Sequence, residues 1–416
     1  MRPVTDALRG PLGVTLVITV VLVVWTRCTP QEEAAVMPPP LWEYPRESEP
    51  QVSSTAIIAS GPLDGPKTSA APFFQDLSVT FPLRKDETFV MRLRPNLSYV
   101  VKVDDWRRAS NSVPIVVFDF QAEKYARGIF AVSDRGLSGT VSVDGLVFLV
   151  TPIGNKRHRI DEVKVLTLPK EEEPVTDADG LTLLPPPADT DQNFRVLLVF
   201  SSELTGFCQT PEHVSLYEAK LVEALGSVGI TTPISVVPFC SEIDSDGGDF
   251  LTQLRSLATS SDIAARRDAV DADLVSLVVA RGTTCGRAYY TRPTIADSRH
   301  RGFSVVRFDC ALTNESFVHE IGHNLGLLHD RASTATTSTD CNYDYFVSNP
   351  QGTQFTDRTI MSLKSSVCPN CTRVLTFSDF AKGHGVPCTN PVNGTQGPAD
   401  NAVEIQLPFE VTRRFY

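Results

Sequence analysis

The sequence predicts an α/β domain over residues 193–416, preceded by a small all-β domain over residues 76–168. Two changes of pattern carry this prediction. Before residue 168, short β-branched runs alternate with turn residues, which is typical of antiparallel strands. After residue 193, apolar runs of strand length alternate with segments whose apolar residues recur at helical spacing, and this indicates an α/β arrangement. The second unit is long enough to bury a core of its own.

An apolar run near the N-terminus, Leu12–Trp25, follows Arg2 and Arg9. It is short for a membrane span of ~20 residues and matches the core of a signal peptide. No clear small-residue cleavage site follows it. Residues 1–28 are therefore predicted to be either a signal peptide or an uncleaved type II membrane anchor. In both cases we expect the rest of the chain outside the cell, and only this segment would contact a membrane.

Two linkers separate the predicted units. Residues 29–75 are rich in Pro, Glu and Ser and lack apolar periodicity, so they are predicted to be disordered. Residues 169–192 form an acidic, Pro-rich linker without a dibasic pair.

The β domain contains strand patterns at Pro114–Phe120 and Gly128–Val132. A hairpin is predicted over Gly139–Val150, with Asp144-Gly145 as its two-residue turn. This region contains neither a cysteine nor a histidine cluster, so no chemistry is predicted in it. A β-sandwich binding module remains an alternative for this part of the chain.

The α/β domain is predicted to begin with an apolar strand. Strands are predicted at Val196–Phe200, Ile234–Val237 and Leu274–Val279, with a helix at Pro211–Leu225 after the first of them. A later helix over the run described next is expected to take Thr313 or Asn314 as its N-cap.

Residues 319–330 read HEIGHNLGLLHD and carry the chemistry. His319 and His323 are four residues apart, so a helix projects both imidazoles from one face, where they can share a zinc ion. Gly326 permits the left-handed turn that brings in His329 as a third ligand. Three protein ligands leave a fourth position open, which marks a catalytic zinc site. Glu320 is placed to take a proton from a water molecule activated there.

A lone histidine on an apolar helix face is usually a core residue, and a single pair of histidines four apart recurs by chance. Here three of the seven histidines in the chain lie within eleven residues, together with Gly326 and Asp330. The combination favours a metal site over a structural role.

The motif H-E-x-x-H-x-x-G-x-x-H resembles that of the metzincin metallopeptidases. Thr359-Ile360-Met361-Ser362 fits their methionine turn, with Met361 as the apolar floor beneath the metal. Asp330 after the third histidine points to the adamalysin/reprolysin branch. The residues around the zinc motif are similar to bacterial reprolysin-like and peptidyl-Asp metalloendopeptidases over about 193–416. Two departures are Asp344, where glycine is expected, and Pro408, which interrupts a closing helix.

This resemblance implies a mixed sheet, a zinc helix and a methionine turn in the catalytic domain, preceded by a propeptide-like β domain whose removal would activate a zymogen. It also implies that the strand before the zinc helix binds substrate as an extra β-strand; the candidate residues are Arg287, Ala288, Tyr289 and Tyr290. The wall of the specificity pocket is expected after Met361, where Lys364 and Arg373 could bind an acidic side chain. A solvated surface role remains the alternative for both basic residues.

Latency cannot depend on a cysteine, because none lies between Cys28 and Cys208. It would rest on steric cover or on another ligand. If the enzyme shares Asp-directed cleavage, the second linker offers self-processing sites at Asp177, Asp179, Asp189 and Asp191.

Eight of the nine cysteines lie between residues 208 and 388, an even number that favours disulfides in an oxidising compartment. Cys285 and Cys310 are the first predicted pair. Cys368 and Cys371 form a C-x-x-C step that could instead indicate a zinc knuckle or a redox site. No second C-x-x-C accompanies it, so a disulfide is favoured.

The net charge of −11 and the pI near 5.2 argue against a nucleic-acid partner. The runs that begin at Asp177 and Asp244 resemble the start of a calcium-binding loop, but neither run continues to the glutamate that such a loop requires. Of the four glycosylation sequons, the one at Asn314 is expected to stay bare because it adjoins the zinc helix.

The predicted function is that of a zinc-dependent endopeptidase with one catalytic ion, protein or peptide substrates, Glu320 as general base and a preference for acidic residues. Two alternatives remain open: a catalytically inactive binding protein that keeps the metzincin fold, and a metal-dependent hydrolase of a non-peptide substrate.

Overall fold

The structure is a computed structural model. It describes residues 73–76, 84–121, 125–154, 157–176, 193–244, 248–291, 298–334, 340–348, 355–363, 368, 371–388 and 398–413. The predicted segment 1–28, most of the first linker, Lys364 and the four candidate processing aspartates lie outside these residues.

The N-terminal region is a single antiparallel sheet of eight strands in the order β1-β8-β7-β6-β5-β4-β3-β2. Its strands are β1 (Phe73–Asp76), β2 (Thr88–Arg94), β3 (Leu97–Arg108), β4 (Pro114–Phe120), β5 (Arg127–Ser133), β6 (Gly136–Val143), β7 (Leu146–Gly154) and β8 (Arg157–Val163). The first strand therefore begins at Phe73, inside the stretch predicted to be a disordered linker. It is held there by pairing with β8, a contact that local composition does not reveal.

The predicted hairpin is present as β6 and β7. Val143 pairs with Leu146, and Asp144 and Gly145 between them have φ angles of 51° and 74°. Positive φ at both turn positions is what a type I′ turn requires, and aspartate and glycine tolerate it best.

The second region is a five-stranded mixed sheet in the order β10-β9-β11-β13-β12. Its elements in chain order are β9 (Phe194–Phe200), α1 (Thr205–Cys208), α2 (Pro211–Ser227), β10 (Ile234–Cys240), α3 (Phe250–Thr259), α4 (Ser261–Ala269), β11 (Leu274–Val279), β12 (Gly286–Ala288) and β13 (Phe303–Arg307). Only β12, at the edge, runs antiparallel to its neighbour. The predicted α/β alternation is confirmed, and β11 has the predicted bounds.

Short elements complete the chain. They are α5 (Phe308–Ala311), α6 (Ser316–Asn324), α7 (Arg331–Thr334), β14 (Phe346–Ser348), β15 (Phe355–Arg358), β16 (Thr372–Arg373), α8 (Asn401–Glu404) and α9 (Gln406–Thr412). The break between α8 and α9 lies just before Pro408, whose missing N–H cannot continue a helical ladder. None of the described helices is long and apolar enough to cross a membrane.

The two large sheets are packed together through α2. One apolar cluster contains Ile115, Val117 and Ile129 of the first sheet and Leu216 and Leu221 of α2. Strands of the first sheet also bury a second apolar cluster of their own, which includes Met91, Phe118 and Phe148.

Four disulfides lie in the second region, at Cys208–Cys240, Cys285–Cys310, Cys341–Cys388 and Cys368–Cys371. Both predicted pairs are present. The C-x-x-C step is therefore a disulfide rather than a zinc knuckle.

Candidate metal centre and the segment that covers it

Helix α6 presents two of the three predicted histidine ligands. His319 and His323 lie one turn apart and are completely buried, with ring centroids 4.7 Å from each other. Their Nε2 atoms both face the Nε2 atom of His329, at 3.2 and 3.0 Å. The three side chains form the one histidine cluster found among the described residues that could hold a metal ion.

The chain reaches His329 through a turn at Gly326. This residue has a φ of +81°, and a Cβ atom there would lie 2.8 Å from the carbonyl oxygen of Thr291. Only glycine meets both conditions without strain or a backbone clash. The predicted left-handed turn is present.

Hydrogen bonds to backbone carbonyls fix two of the imidazole rings. His319 Nδ1 donates to the carbonyl oxygen of Ile360 and His323 Nδ1 to that of Leu327, both at 2.8 Å. With the proton on Nδ1, each Nε2 lone pair points to the shared centre. Burial lowers the pKa of His319 and of His323 well below the usual value, so both rings are held neutral. Converging lone pairs at these distances fit a cation and nothing apolar.

Glu320 is completely buried beside this centre, and neither of its carboxylate oxygens has a hydrogen-bond partner among the described residues. Burial raises the pKa of Glu320 well above its usual value, and the neighbouring Glu171 raises it further. Gly286 of β12 makes room for this carboxylate, because a Cβ atom there would overlap it. A buried carboxylate without partners is costly unless a ligand or water supplies them.

Met361 packs against α6, the helix that carries His319 and His323. A Cβ atom at Gly322 would contact its Sδ atom, so the helix backbone and the methionine are packed directly against each other. Asp330 secures the following turn: it accepts hydrogen bonds from the N–H groups of Ser333 and Leu363, both at 2.9 Å. The structure thus brings Gly326, Asp330 and Met361 to the centre that the histidines form.

The predicted N-cap of α6 is wrong. Glu315 occupies that position with a φ of 56° and caps nothing with its side chain. Asn314 instead donates to Glu171, and Thr313 donates to the carbonyl oxygen of Asp309. Glu315 is held by a buried ion pair with Lys220 of α2 at 2.6 Å. The side chain of Asn314 is buried, which agrees with the expectation that its sequon stays bare.

The edge strand β12 and the two tyrosines after it are occupied by a segment of the chain itself. Residues 170–175, predicted to be linker, run alongside β12 in the same direction, and Val175 forms a parallel bridge with Tyr289. Four backbone hydrogen bonds of 2.8 to 3.2 Å join them: Cys285 N to Lys170 O, Glu172 N to Gly286 O, Val175 N to Ala288 O and Tyr290 N to Val175 O. We call residues 170–175 the covering segment.

Each glutamate of the covering segment has its own partner. Glu171 is buried against Arg373, Glu172 pairs with Arg287 of β12, and the Glu173 carboxylate lies 3.2 Å from His329 Nδ1. The segment therefore touches the edge strand, a buried arginine and a histidine of the metal centre at once.

Arg373 is buried and does not have the solvated surface position that was the alternative for it. Its side chain is 1% exposed and donates to Glu171 at 2.6 Å, to Asn314 O at 2.7 Å and to Ser362 O at 3.1 Å. Arg358, which sequence reasoning did not single out, lies beside it and donates to the Asn314 side chain at 3.1 Å. Burial, together with the charge of Arg373, lowers the pKa of Arg358 to about 9. Two buried cations share this pocket.

Comparison with known proteins supports the metallopeptidase reading. Residues 229–378 match the model of the family described as Reprolysin_5, metallo-peptidase family M12. Two curated relatives from Stenotrophomonas maltophilia, strains K279a and R551-3, are both named peptidyl-Asp metalloendopeptidase. They are 26% and 27% identical to this chain over 292 and 261 residues. These matches span 66% and 58% of this chain and 66% and 60% of the relatives.

A relative of the same name from Xanthomonas campestris is 27% identical over 50% of this chain and 53% of its own length. Among solved structures, one titled metalloproteinase-II from Bacteroides fragilis is 15% identical, with a TM-score of 0.37. That match covers 62% of this chain and 84% of that one. The family match and the named relatives support the resemblance and the enzyme class predicted from the sequence: at modest identity, this chain is similar to the reprolysin-like metallopeptidases of family M12.

Proposed function

We propose that this protein is a zinc-dependent endopeptidase in which His319, His323 and His329 hold the ion and Glu320 is the general base. One observation carries the proposal: three buried Nε2 atoms converge within 3.2 Å while the Nδ1 atoms of His319 and His323 are bonded to carbonyl oxygens. The buried carboxylate of Glu320, which has no hydrogen-bond partner within the described part of the chain, supports its role. Tetrahedral zinc binds three imidazoles and keeps one position for substrate or water.

A bound zinc ion supplies Lewis acidity, which acidifies water and polarises the scissile carbonyl. The protein does the rest. Glu320 accepts a proton from the attacking water and delivers it to the leaving amine, a role suited to a carboxyl group whose pKa is raised by burial. The carbonyl groups of Ile360 and Leu327 keep two imidazoles in the tautomer that presents Nε2.

Substrate is proposed to bind along β12 as an added strand, where residues 287–290 offer free backbone groups once the covering segment has left. We further propose a preference for acidic residues, served by Arg373. The names of the three curated relatives point the same way.

The proposed organisation follows from this function. Residues 1–28 direct export or anchor the chain, and residues 76–168 with the second linker form a propeptide-like unit of a zymogen. The catalytic domain is residues 193–416. N-terminal sequencing of the active form tests this organisation, because a new terminus outside 169–192 contradicts it.

The decisive experiment measures metal content and cleavage on the same samples. Metal analysis of the wild-type chain should find one zinc ion per chain, and His323→Ala should lose it. Glu320→Gln should retain the zinc but lose cleavage of a mixed peptide library by at least ~10³-fold. Stoichiometric zinc without any chelator-sensitive cleavage, in the wild-type chain nicked within 169–192, would instead support the inactive binding protein.

A further inference from the structure

Glu171 is bound in a pocket built entirely by the catalytic domain. Its Oε1 atom accepts hydrogen bonds from Arg373 Nη1 at 2.6 Å, from Asn314 Nδ2 at 2.8 Å and from Ser316 Oγ at 2.8 Å. These donors lie 143 to 202 residues away in the chain. Glu171 reaches them from the covering segment, outside the catalytic domain.

The charge and the hydrogen-bond donors of the pocket suit a carboxylate. Arg358 and Arg373 are both buried, and among the described residues neither Nε atom has a hydrogen-bond partner. Burial by itself would raise the pKa of Glu171, but the guanidinium groups of Arg373 and Arg358 outweigh burial and hold the pKa below its usual value. Asp330 and Asp344 also act on Arg358, and Glu315 is paired with Lys220. Without Glu171, however, the buried Arg373 would lose the carboxylate to which it is hydrogen-bonded, which is unfavourable.

The pocket also lies beside the proposed catalytic residue. Glu171 is close enough to raise the pKa of Glu320, and Ser316 is the first residue of the helix that carries it. The backbone around Glu171 is bonded to both ends of the edge strand, at Cys285 and Tyr290. An acidic side chain of a peptide on that edge would enter the pocket only after Glu171 had left it.

We propose that Glu171 is a built-in occupant of the acidic-residue specificity pocket formed by Arg373, Arg358, Asn314 and Ser316, and that its carboxylate fastens the covering segment over the active site. A substrate's acidic side chain and Glu171 therefore compete for the same donors. This inference rests on the proposed endopeptidase function and extends it to substrate selection and latency.

The first test uses the intact full-length chain and does not depend on turnover. Glu171→Gln keeps the shape of the side chain and removes its charge. Glu172→Gln is the matched control, because its ion pair with Arg287 is partly exposed and such pairs contribute little. Hydrogen exchange is measured at the amides of Glu172, Val175, Cys285 and Tyr290. We expect at least tenfold faster exchange in Glu171→Gln and less than a threefold change in the control. Equal protection in wild type and Glu171→Gln would overturn the fastening role.

The second test measures the selectivity of cleavage between peptides with an acidic and with a neutral side chain. On paired peptides that differ only by Asp or Asn, the intact Glu171→Gln chain should cleave the Asp peptide at least tenfold faster than the intact wild type. Adding Arg373→Gln to this variant leaves no stranded carboxylate and should lower the Asp-to-Asn ratio of kcat/KM at least tenfold. An unchanged ratio would overturn the selection role.

The two tests separate this inference from the proposed function. If zinc-loaded variants and a nicked wild-type chain all fail to cleave any peptide, the endopeptidase function and the selection role fail together. The exchange rates still decide whether Glu171 fastens the segment.

Discussion

At the scale of single residues, the centre depends on glycines that leave space for functional side chains. Gly286 leaves room for the Glu320 carboxylate, and Gly322 leaves room for Met361. Both glycines lie in regular secondary structure, where glycine costs roughly 0.5–1 kcal/mol relative to alanine. The close approach of the functional side chain explains why a bulkier residue does not fit.

Gly286→Ala is expected to displace the Glu320 carboxylate, because the added methyl group would overlap it. A general base moved by ~1 Å costs on the order of 10²-fold in kcat. Zinc content should be unchanged, since no histidine is touched. The control is Gly226→Ala in α2, where an added Cβ meets nothing within 4 Å. A kcat within twofold of wild type for Gly286→Ala would mean that Glu320 is not confined by β12.

Asp344 should make stability depend on pH. Burial raises its pKa to about 6 from a usual value of 3.8. A carboxyl group with a raised folded-state pKa contributes stability that is fully present below pH ~4 and is lost as pH rises through ~6. For Asp344→Asn, the free energy of unfolding relative to wild type should therefore rise by about 2–3 kcal/mol between pH 4 and pH 7. Urea unfolding at both pH values measures this, and a pH-independent difference would contradict it.

At the scale of elements, the turn after α6 positions His329, the third histidine of the metal centre. Gly326→Ala adds strain at a φ of +81° and a contact of 2.8 Å with the Thr291 carbonyl, so the turn must move and carry His329 with it. Zinc affinity should fall at least ~10-fold, measured by competition with a chromophoric chelator. Gly383→Ala is the matched control, because its φ is +80° but the added Cβ meets nothing within 4 Å. If both variants lose affinity equally, general destabilisation is the cause.

Removing one partner of the ion pair between α2 and the start of α6 should destabilise the fold more than removing both. Lys220→Met leaves the Glu315 carboxylate buried without its partner, and we expect a loss of ~3–5 kcal/mol in the free energy of unfolding. Adding Glu315→Gln removes the stranded charge and should recover more than half of that loss. Denaturant unfolding of the two variants and of Glu315→Gln alone completes the cycle. Additive effects would show that the two side chains do not interact.

The sequence predicted those elements whose pattern is local. Strand β11 is apolar at every position but Ser276 because a central parallel strand is buried on both faces, and its predicted bounds are those observed. The histidines and Gly326 were found because their spacing follows helical and turn geometry. The sequence predicts a linker over the covering segment, because the order of this segment comes from an edge strand more than a hundred residues away along the chain. The sequence does not show that Arg373 is buried for the same reason: its partner, Glu171, is distant in sequence.

At the scale of the whole molecule, the N-terminal sheet packs directly against the second region and is not joined to it by the linker alone. Its strands share an apolar cluster with α2, and polar contacts frame that cluster. Arg107 donates to Glu223 at 2.7 Å, and the Ser110 N–H donates to Glu218 at 2.6 Å. The covering segment adds a second attachment, along β12. These contacts join residues before 177 to residues after 192, so a cut between those positions removes none of them.

We therefore expect the two parts to remain associated after a single cut within residues 177–192. A site for a specific protease placed there allows the cut without relying on self-processing. Size-exclusion chromatography at micromolar concentration should show both fragments in one peak, because apolar contacts and charged hydrogen bonds hold the fragments together without the covalent linker. Release would then require further proteolysis of the N-terminal part or competition at its contacts.

The matched variant is Ile129→Asp, which places a charge in the shared apolar cluster. Its fragments should separate, whereas Val100→Asp, at a strand position that is 37% exposed, should leave them together. Separation of the wild-type fragments on cutting would contradict this prediction and would mean that the tether alone holds the covering segment in place. Co-elution would mean that cutting the linker and opening the active site are two distinct steps, the second governed by the contacts of the covering segment and of α2.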